Sequence, residues 1–198
     1  MARTSIVFCS HNAGKIKEMA ELLRPLNVDV LSAADADVPD VEETGRTFEE
    51  NALLKAKAGA VASGLPTLAD DSGLCIHALN NEPDIYTARF AQKCGGYPAA
   101  FKNLLKRLKN KADKSAHFEC CLALAFPNGK AFTYHGRVDG TIVPPRDGKQ
   151  GFGFDPIFIP DGFEQTFSQM PESQKNPISH RGKAVAAFVK DFEKIIET

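Results

Sequence analysis

The chain has 198 residues, 43% of them hydrophobic, with 24 Lys plus Arg against 25 Asp plus Glu. That length fits one domain over 1–198, with room for two lobes, and buries a sizeable core without staples. A net charge of −1 exerts no long-range pull on nucleic acid, so no such partner is expected and any anion site must be local.

In chain order, residues 4–9 read as a buried strand and 13–24 as a helix. Ile16, Met19, Ala20, Leu22 and Leu23 make its apolar stripe, Asn12 its N-cap and Pro25 its end. The three apolar residues before Cys9 are too few for the core of a secretion signal. No later run approaches the ~20 apolar residues of a membrane span, so no membrane partner is expected. Val28–Leu31 is a short strand, and 32–46 an acidic loop. Thr47-Phe-Glu-Glu50 is a capping box that starts a helix running to about Ser63, with Gly64 as its stop. Thr67–Ala69 reads as a strand ending in the turn residues Asp70-Asp71-Ser72-Gly73, and Leu74–Leu79 as another. Tyr97–Lys109 is an amphipathic helix with Phe101, Leu104, Leu105 and Leu108 inward. Asn128-Gly129 joins 117–126 and 130–138 in a hairpin. A glycine-rich loop at 148–153, a strand at 156–159 and a helix over 180–196 complete the chain. Ser179 caps that helix, whose apolar face carries Val185, Phe188, Val189, Phe192, Ile195 and Ile196. Helices and strands alternate early and a hairpin comes late, which predicts an α/β fold with a mixed sheet and a ligand cleft between two lobes. Cys9, Cys75, Cys120 and Cys121 lie in apolar runs and no CxxC occurs. They read as buried free thiols of a protein in a reduced cytoplasm.

Five stretches hold candidate chemistry. Ser10-His11-Asn12-Ala13-Gly14-Lys15 sits where a strand gives way to a helix. It departs from a P-loop at Cys9 and Ile16, yet a helix N-terminus beside a lysine remains a phosphate site in outline. A capped helix with a surface lysine fits it equally well. Thr47, Asn51 and Lys55 form a polar stripe, and a solvated face is its plain alternative. Asp70 and Asp71 offer hard oxygens suited to Mg²⁺, one of them facing the site; a simple turn is the alternative. His180 and Arg181 place cations in a first helical turn, against the helix dipole, which points to an anionic or electron-rich ligand beside Lys175; a harmless exposed pair is the alternative. In Gly151-Phe152-Gly153-Phe154-Asp155, glycines flank aromatics as a flat ligand would require, or as a packed turn would.

Together these stretches resemble the inosine triphosphate pyrophosphatases. The matching segments are 10–15, EETGRTFEENALLKA (42–56), LADDSGL (68–74), TAR (87–89), HGRVDGTI (135–142), GFGFDPIF (151–158) and ISHRGKA (178–184). The resemblance implies a two-lobed α/β fold with a central mixed sheet, a nucleotide cleft between the lobes, a homodimer and Mg²⁺ dependence. The implied reaction cleaves ITP, dITP or XTP to the monophosphate and pyrophosphate. By the same resemblance, residues 10–15 and Lys55 grip the triphosphate. Asp71 is metal ligand and general base, with Glu43 or Glu42 as the second carboxylate. Ser72 contacts substrate, and Phe152, Gly153, Phe154, Asp155, Lys175, His180 and Arg181 form the base and ribose site. The chain departs from the family pattern at His11 and Asp84, where glycine is usual, and at His77 and Phe154.

Overall fold

A computed structural model describes residues 4–196; the side chains of Glu193 and Ile196, the latter expected on an apolar face, lie outside the described residues. The strands are β1 (Ser5–Phe8), β2 (Asp29–Ser32), β3 (Thr67–Ile76), β4 (Ser115–Ala125), β5 (Ala131–Ile142) and β6 (Phe158–Pro160). The helices are α1 (Ala13–Leu23), α2 (Phe48–Ser63), α3 (Thr87–Lys93), α4 (Tyr97–Leu108), α5 (Glu172–Ile178) and α6 (His180–Ile196). One sheet runs in the order β2-β1-β3-β4-β5-β6. It is mixed: β1 lies parallel to both β2 and β3, whereas β5 and β6 are antiparallel. This is the expected α/β class.

Two compact units divide the chain, each with its own core. The first comprises 1–71, 120–136 and 181–198; the second 72–119 and 137–180. In the first, Ile6, Phe8, Met19, Leu68, Leu122, Phe188 and Phe192 pack together. In the second, Leu74, Ile76, Leu104, Phe118, Ile157, Phe158 and Phe167 do so. Apolar burial at ~25 cal/mol per Å² is the main stabilising term in each.

Local sequence explains most boundaries. Asn12 caps α1, its Oδ1 accepting from the amides of Gly14 at 3.0 Å and Lys15 at 3.2 Å. Thr47 caps α2 by accepting from the Glu50 amide, and Gly64 ends it with the left-handed φ of 68° that glycine adopts freely. The Glu50 carboxylate reaches back to the Arg46 amide rather than to Thr47, so the expected box is shifted by one residue.

Two expectations are corrected. Residues 67–76 form one unbroken strand, so Asp70 to Gly73 are no terminal turn; nine of those ten residues are buried. Aspartate and serine disfavour strands through local backbone bonding, but here Asp70 and Asp71 have buried tertiary partners that outweigh the propensity. Helices α3 and α5 also stand where no helix was expected. Each has only seven residues, and α5 contains Pro177, so neither displays a full apolar period. Among the described residues no helix is long and apolar enough to cross a membrane.

Candidate active site

In the first unit, β3 presents its two aspartates to opposite sides. The Asp70 carboxylate is buried and accepts from Arg181 Nε at 3.1 Å and Nη2 at 2.9 Å; Lys15 Nζ lies 3.0 Å away. Burial alone would raise its pKa, but Lys15, Arg181 and Lys55 outweigh that and hold it far below the usual carboxylate range. Arg181 also donates to Glu18, a buried acid of α1. The cation at the start of α6 is therefore balanced by the protein's own carboxylates. Arg181 and His180 are both buried, so the alternative of a harmless exposed pair is excluded.

Asp71 faces a different set. Asn51 Nδ2 donates to its Oδ2 at 2.9 Å, and the Asn51 Oδ1 accepts from the Gly45 amide at 2.8 Å. Lys55 Nζ donates to Glu43 Oε1 at 2.5 Å and to the Asp70 carbonyl at 2.8 Å. Of the stripe Thr47, Asn51 and Lys55, the last two thus point inward and Asn51 is fully buried, which excludes a solvated face for them; Thr47 stays exposed as the N-cap. Burial is the largest influence on Asp71 and pushes its pKa up to about 6; Glu43 adds to this, while Lys55, Lys15 and Asn51 oppose it. Lys55 shows the converse. Desolvation would lower its pKa, but Asp71, Asp70 and Glu43 together raise it, so it stays an ammonium.

This donor set fits a hard divalent cation. The charge of Glu43 is felt at Asp71, whose pKa it raises, and both side chains are oxygen donors. Glu42 is exposed, whereas Glu43 is half-buried and bonded to Lys55. The geometry therefore favours Glu43 of the two.

The loop before α1 is self-braced. Ser10 Oγ accepts from the Asn12 amide at 3.2 Å. His11 does not fill the loop: its side chain is exposed, with Nε2 3.3 Å from Asp40 Oδ1. Only its backbone belongs to the turn, which is the condition under which histidine can stand for glycine here. Ala13 is exposed at the first position of the helix, and Gly14 and Lys15 follow within its first turn.

The second unit gathers the other candidates. Asp155 Oδ2 accepts from the Phe152 amide and from Lys175 Nζ, each at 2.8 Å, and both charged groups are buried. Lys175 also lies over the Phe152 ring, 5.1 Å from its centroid. Gly151 is required twice over: its φ is 77°, and a Cβ would fall 2.3 Å from Asp155 Oδ2. Gly153 also has a left-handed φ, 65°. His180 stacks on Phe118 at 4.8 Å between centroids. Ser72, directly after Asp71 on β3, is half-buried.

Phe154 departs from its expected role. It is 2% exposed and packs edge-on against Tyr97, 5.3 Å between centroids, so its ring belongs to the core. Phe152, two residues earlier in the same turn, is only half-buried. Asp84 occupies its loop with the left-handed φ of 54° that glycine would supply; aspartate tolerates that region better than most residues. Sequence reasoning missed Glu18 and Phe118. Glu18 looks like a surface acid beside an apolar stripe, and Phe118 like ordinary strand core; their partners are distant in sequence.

Comparison with known proteins follows the same lines. The model of the Ham1 family matches residues 6–191. A relative from Gluconobacter oxydans named dITP/XTP pyrophosphatase is 45% identical over 186 residues, 94% of this chain and 89% of that protein. One of the same name from Rhodospirillum centenum is 46% identical over 187 residues, covering 92% of each. Among solved structures, a HAM1 protein from Coxiella burnetii superposes with a TM-score of 0.87 at 39% identity, covering 96% of this chain and 99% of that one. On sequence and fold together, the chain belongs to the Ham1 family.

Proposed function

We infer that the protein is a nucleoside triphosphate pyrophosphatase that hydrolyses deaminated purine nucleotides (ITP, dITP and XTP) to the monophosphate and pyrophosphate. The carrying observation is the buried Asp71–Asn51–Lys55–Glu43 cluster, in a chain whose relatives are named for this reaction. Glu43 and Asp71 would hold Mg²⁺, which when bound neutralises phosphate charge and acidifies a water. Asp71 accepts the proton of the attacking water; in the metal-free fold its pKa near 6 already leaves it ionised at neutral pH. Lys55 and Lys15 meet the charge that develops on the leaving pyrophosphate. Ser10, Asn12 and the turn through His11, Ala13 and Gly14 seat the phosphates at the start of α1.

Selection of the base falls to the second unit and the start of α6. Phe152 offers a ring face, Lys175 and Asp155 fix the loop around Gly153 and Phe154, and Ser72 contacts the substrate. His180 and Arg181 donate toward the 6-oxo group, Arg181 with its guanidinium oriented by Asp70 and Glu18. An adenine 6-amino group would face those donors with a donor, and such a buried mismatch supports strong discrimination. The same reading makes the enzyme one nucleotide-binding domain of two lobes, a cytoplasmic homodimer with a nucleotide cleft. Sedimentation tests the dimer.

The direct test is a panel of ITP, dITP, XTP, GTP and ATP with Mg²⁺, reading pyrophosphate and orthophosphate separately. The expected result is pyrophosphate release from the deaminated purines well above that from ATP. Equal rates on all five, or orthophosphate as sole product, would overturn the reading.

A further inference from the structure

We propose that Glu49, Cys121 and His135 form a second metal site, one for Zn²⁺ and chemically unlike the all-oxygen pair Glu43 and Asp71. The motif containing His135 has no part in the proposed reaction, and the three residues come from three elements: the first turn of α2, β4 and β5. His135 Nε2 lies 2.9 Å from Glu49 Oε2 and 4.0 Å from Cys121 Sγ. One donor atom from each residue lies within 4.8 Å of the other two, and among the described residues no other set of three His, Cys, Asp or Glu does this.

The backbone dictates this meeting. Near the hairpin turn, the Phe126 amide donates to the Lys130 carbonyl at 2.9 Å. Five residues further along each strand are Cys121 and His135, which therefore share a rung and a face of the sheet. The first turn of α2 brings Glu49 to that rung, where the helix dipole favours a carboxylate.

The chemistry selects the ion. Thiolate, imidazole and carboxylate together suit Zn²⁺, whereas Mg²⁺ prefers oxygen alone. Tetrahedral Zn²⁺ with bonds of 2.0–2.3 Å sets its ligand atoms roughly 3.3–3.8 Å apart. The observed 2.9 and 4.0 Å bracket that range, so side-chain adjustment suffices. The side chains of His135 and Glu49 are 50% and 48% exposed, which gives the ion a way in and leaves a fourth position for water; Cys121 is buried beneath them. An exposed His–Glu pair by itself contributes ~1 kcal/mol or less and gives no reason for a thiol under it. Asn51 is two residues beyond Glu49, on the opposite side of α2. The ion would thus tie the helix that carries Asn51 and Lys55 to the hairpin without taking a ligand from Glu43 or Asp71.

The test is titration of the metal-free, full-length protein with Co²⁺ and Zn²⁺ under reducing conditions. The expected results are one equivalent of Co²⁺ bound with a thiolate-to-cobalt charge-transfer band, displacement by Zn²⁺, and a Zn²⁺-dependent rise in Tm. Cys121→Ser should abolish the band. Loss of an outer-shell partner typically weakens a metal site by ~10–100-fold, so His135→Gln and Glu49→Gln, which remove ligands, should each lower Zn²⁺ affinity at least that much. Asp71→Asn should leave band and affinity unchanged, which separates this site from the one proposed for catalysis. Absence of the band, its persistence at wild-type affinity in His135→Gln, or its loss in Asp71→Asn would each overturn the proposal. Should Cys121→Ser fail to fold, the two half-exposed positions still decide it.

Discussion

Asp70 and Asp71 are adjacent and chemically identical, yet the structure gives them opposite energetics. Asp70 is an anion the fold needs, since Lys15 and Arg181 are directed at it. Removing one partner of a buried ionic network costs about 3–5 kcal/mol, because the remaining charges stay buried. Asp70→Ala should therefore lower the urea midpoint severely, before any question of turnover. Asp71 is the reverse. Its pKa rises from 3.8 unfolded to about 6 folded, so the folded state holds its proton more tightly. Its contribution to stability is full below about 3.8, lost as pH rises through 6, and absent above. Asp71→Asn removes the buried charge while keeping an acceptor for Asn51. In metal-free protein at pH 7.5 it should raise stability by roughly 1–3 kcal/mol, with the gain shrinking as pH falls below about 6. The same variant should be inactive. Thermal melts at the two pH values check the first part, and pyrophosphate release the second.

At the level of elements, α2 and β3 carry between them most of the residues proposed for the chemistry. Asn51 bonds both Asp71 and the Gly45 amide, so it fixes the proposed base and the loop that holds Glu43. Asn51→Ala takes one donor from the buried Asp71 carboxylate and the acceptor from the half-buried Gly45 amide, a loss of ~1–3 kcal/mol. It also removes a donor that holds the Asp71 pKa down, so the acid limb of kcat/KM should move to higher pH. A pH–rate profile distinguishes this from simple loss of fold, which would lower activity at every pH. The start of α2 was legible because Thr47 and Gly64 are local punctuation, and the β4–β5 hairpin because Asn128-Gly129 is. The spacing of Asn51 and Lys55 put them on one face but could not say whether that face met water. The unbroken β3 was illegible, since the groups that stabilise Asp70 and Asp71 lie elsewhere in sequence: Lys15, Asn51, Lys55 and Arg181. The buried Phe154 was hidden for a similar reason. Both phenylalanines of 152–155 look alike until Tyr97 and Phe101 claim one of them.

At the scale of the whole molecule, the residues proposed for the phosphates and for the base fall largely on different sides of the division of the fold. Arg181 is excepted: it is proposed for the base yet lies in the first unit with Asp70 and Lys15. Residues proposed for phosphates and metal (Ser10, Asn12, Lys15, Glu43, Lys55 and Asp71) lie in the first unit. Phe152, Asp155, Lys175 and His180 lie in the second, and the chain passes from one unit to the other between Asp71 and Ser72 and between His180 and Arg181. A reaction whose charge develops at phosphorus, distant from the purine, permits this separation, since the base then sets only which substrate is held. The prediction is a contrast between two variants. Lys15→Ala should reduce kcat/KM for ITP and ATP by the same factor, because both present the same triphosphate. His180→Ala should reduce kcat/KM for ITP by roughly 10–100-fold while leaving that for ATP nearly unchanged, because only the 6-oxo group loses a donor. Combining them should add the two free-energy losses for ITP, as independent sites require, and the ITP-to-ATP ratio should follow His180 alone. A Lys15→Ala variant that shifts that ratio would show that phosphate and base recognition are coupled, and the division of labour would fail.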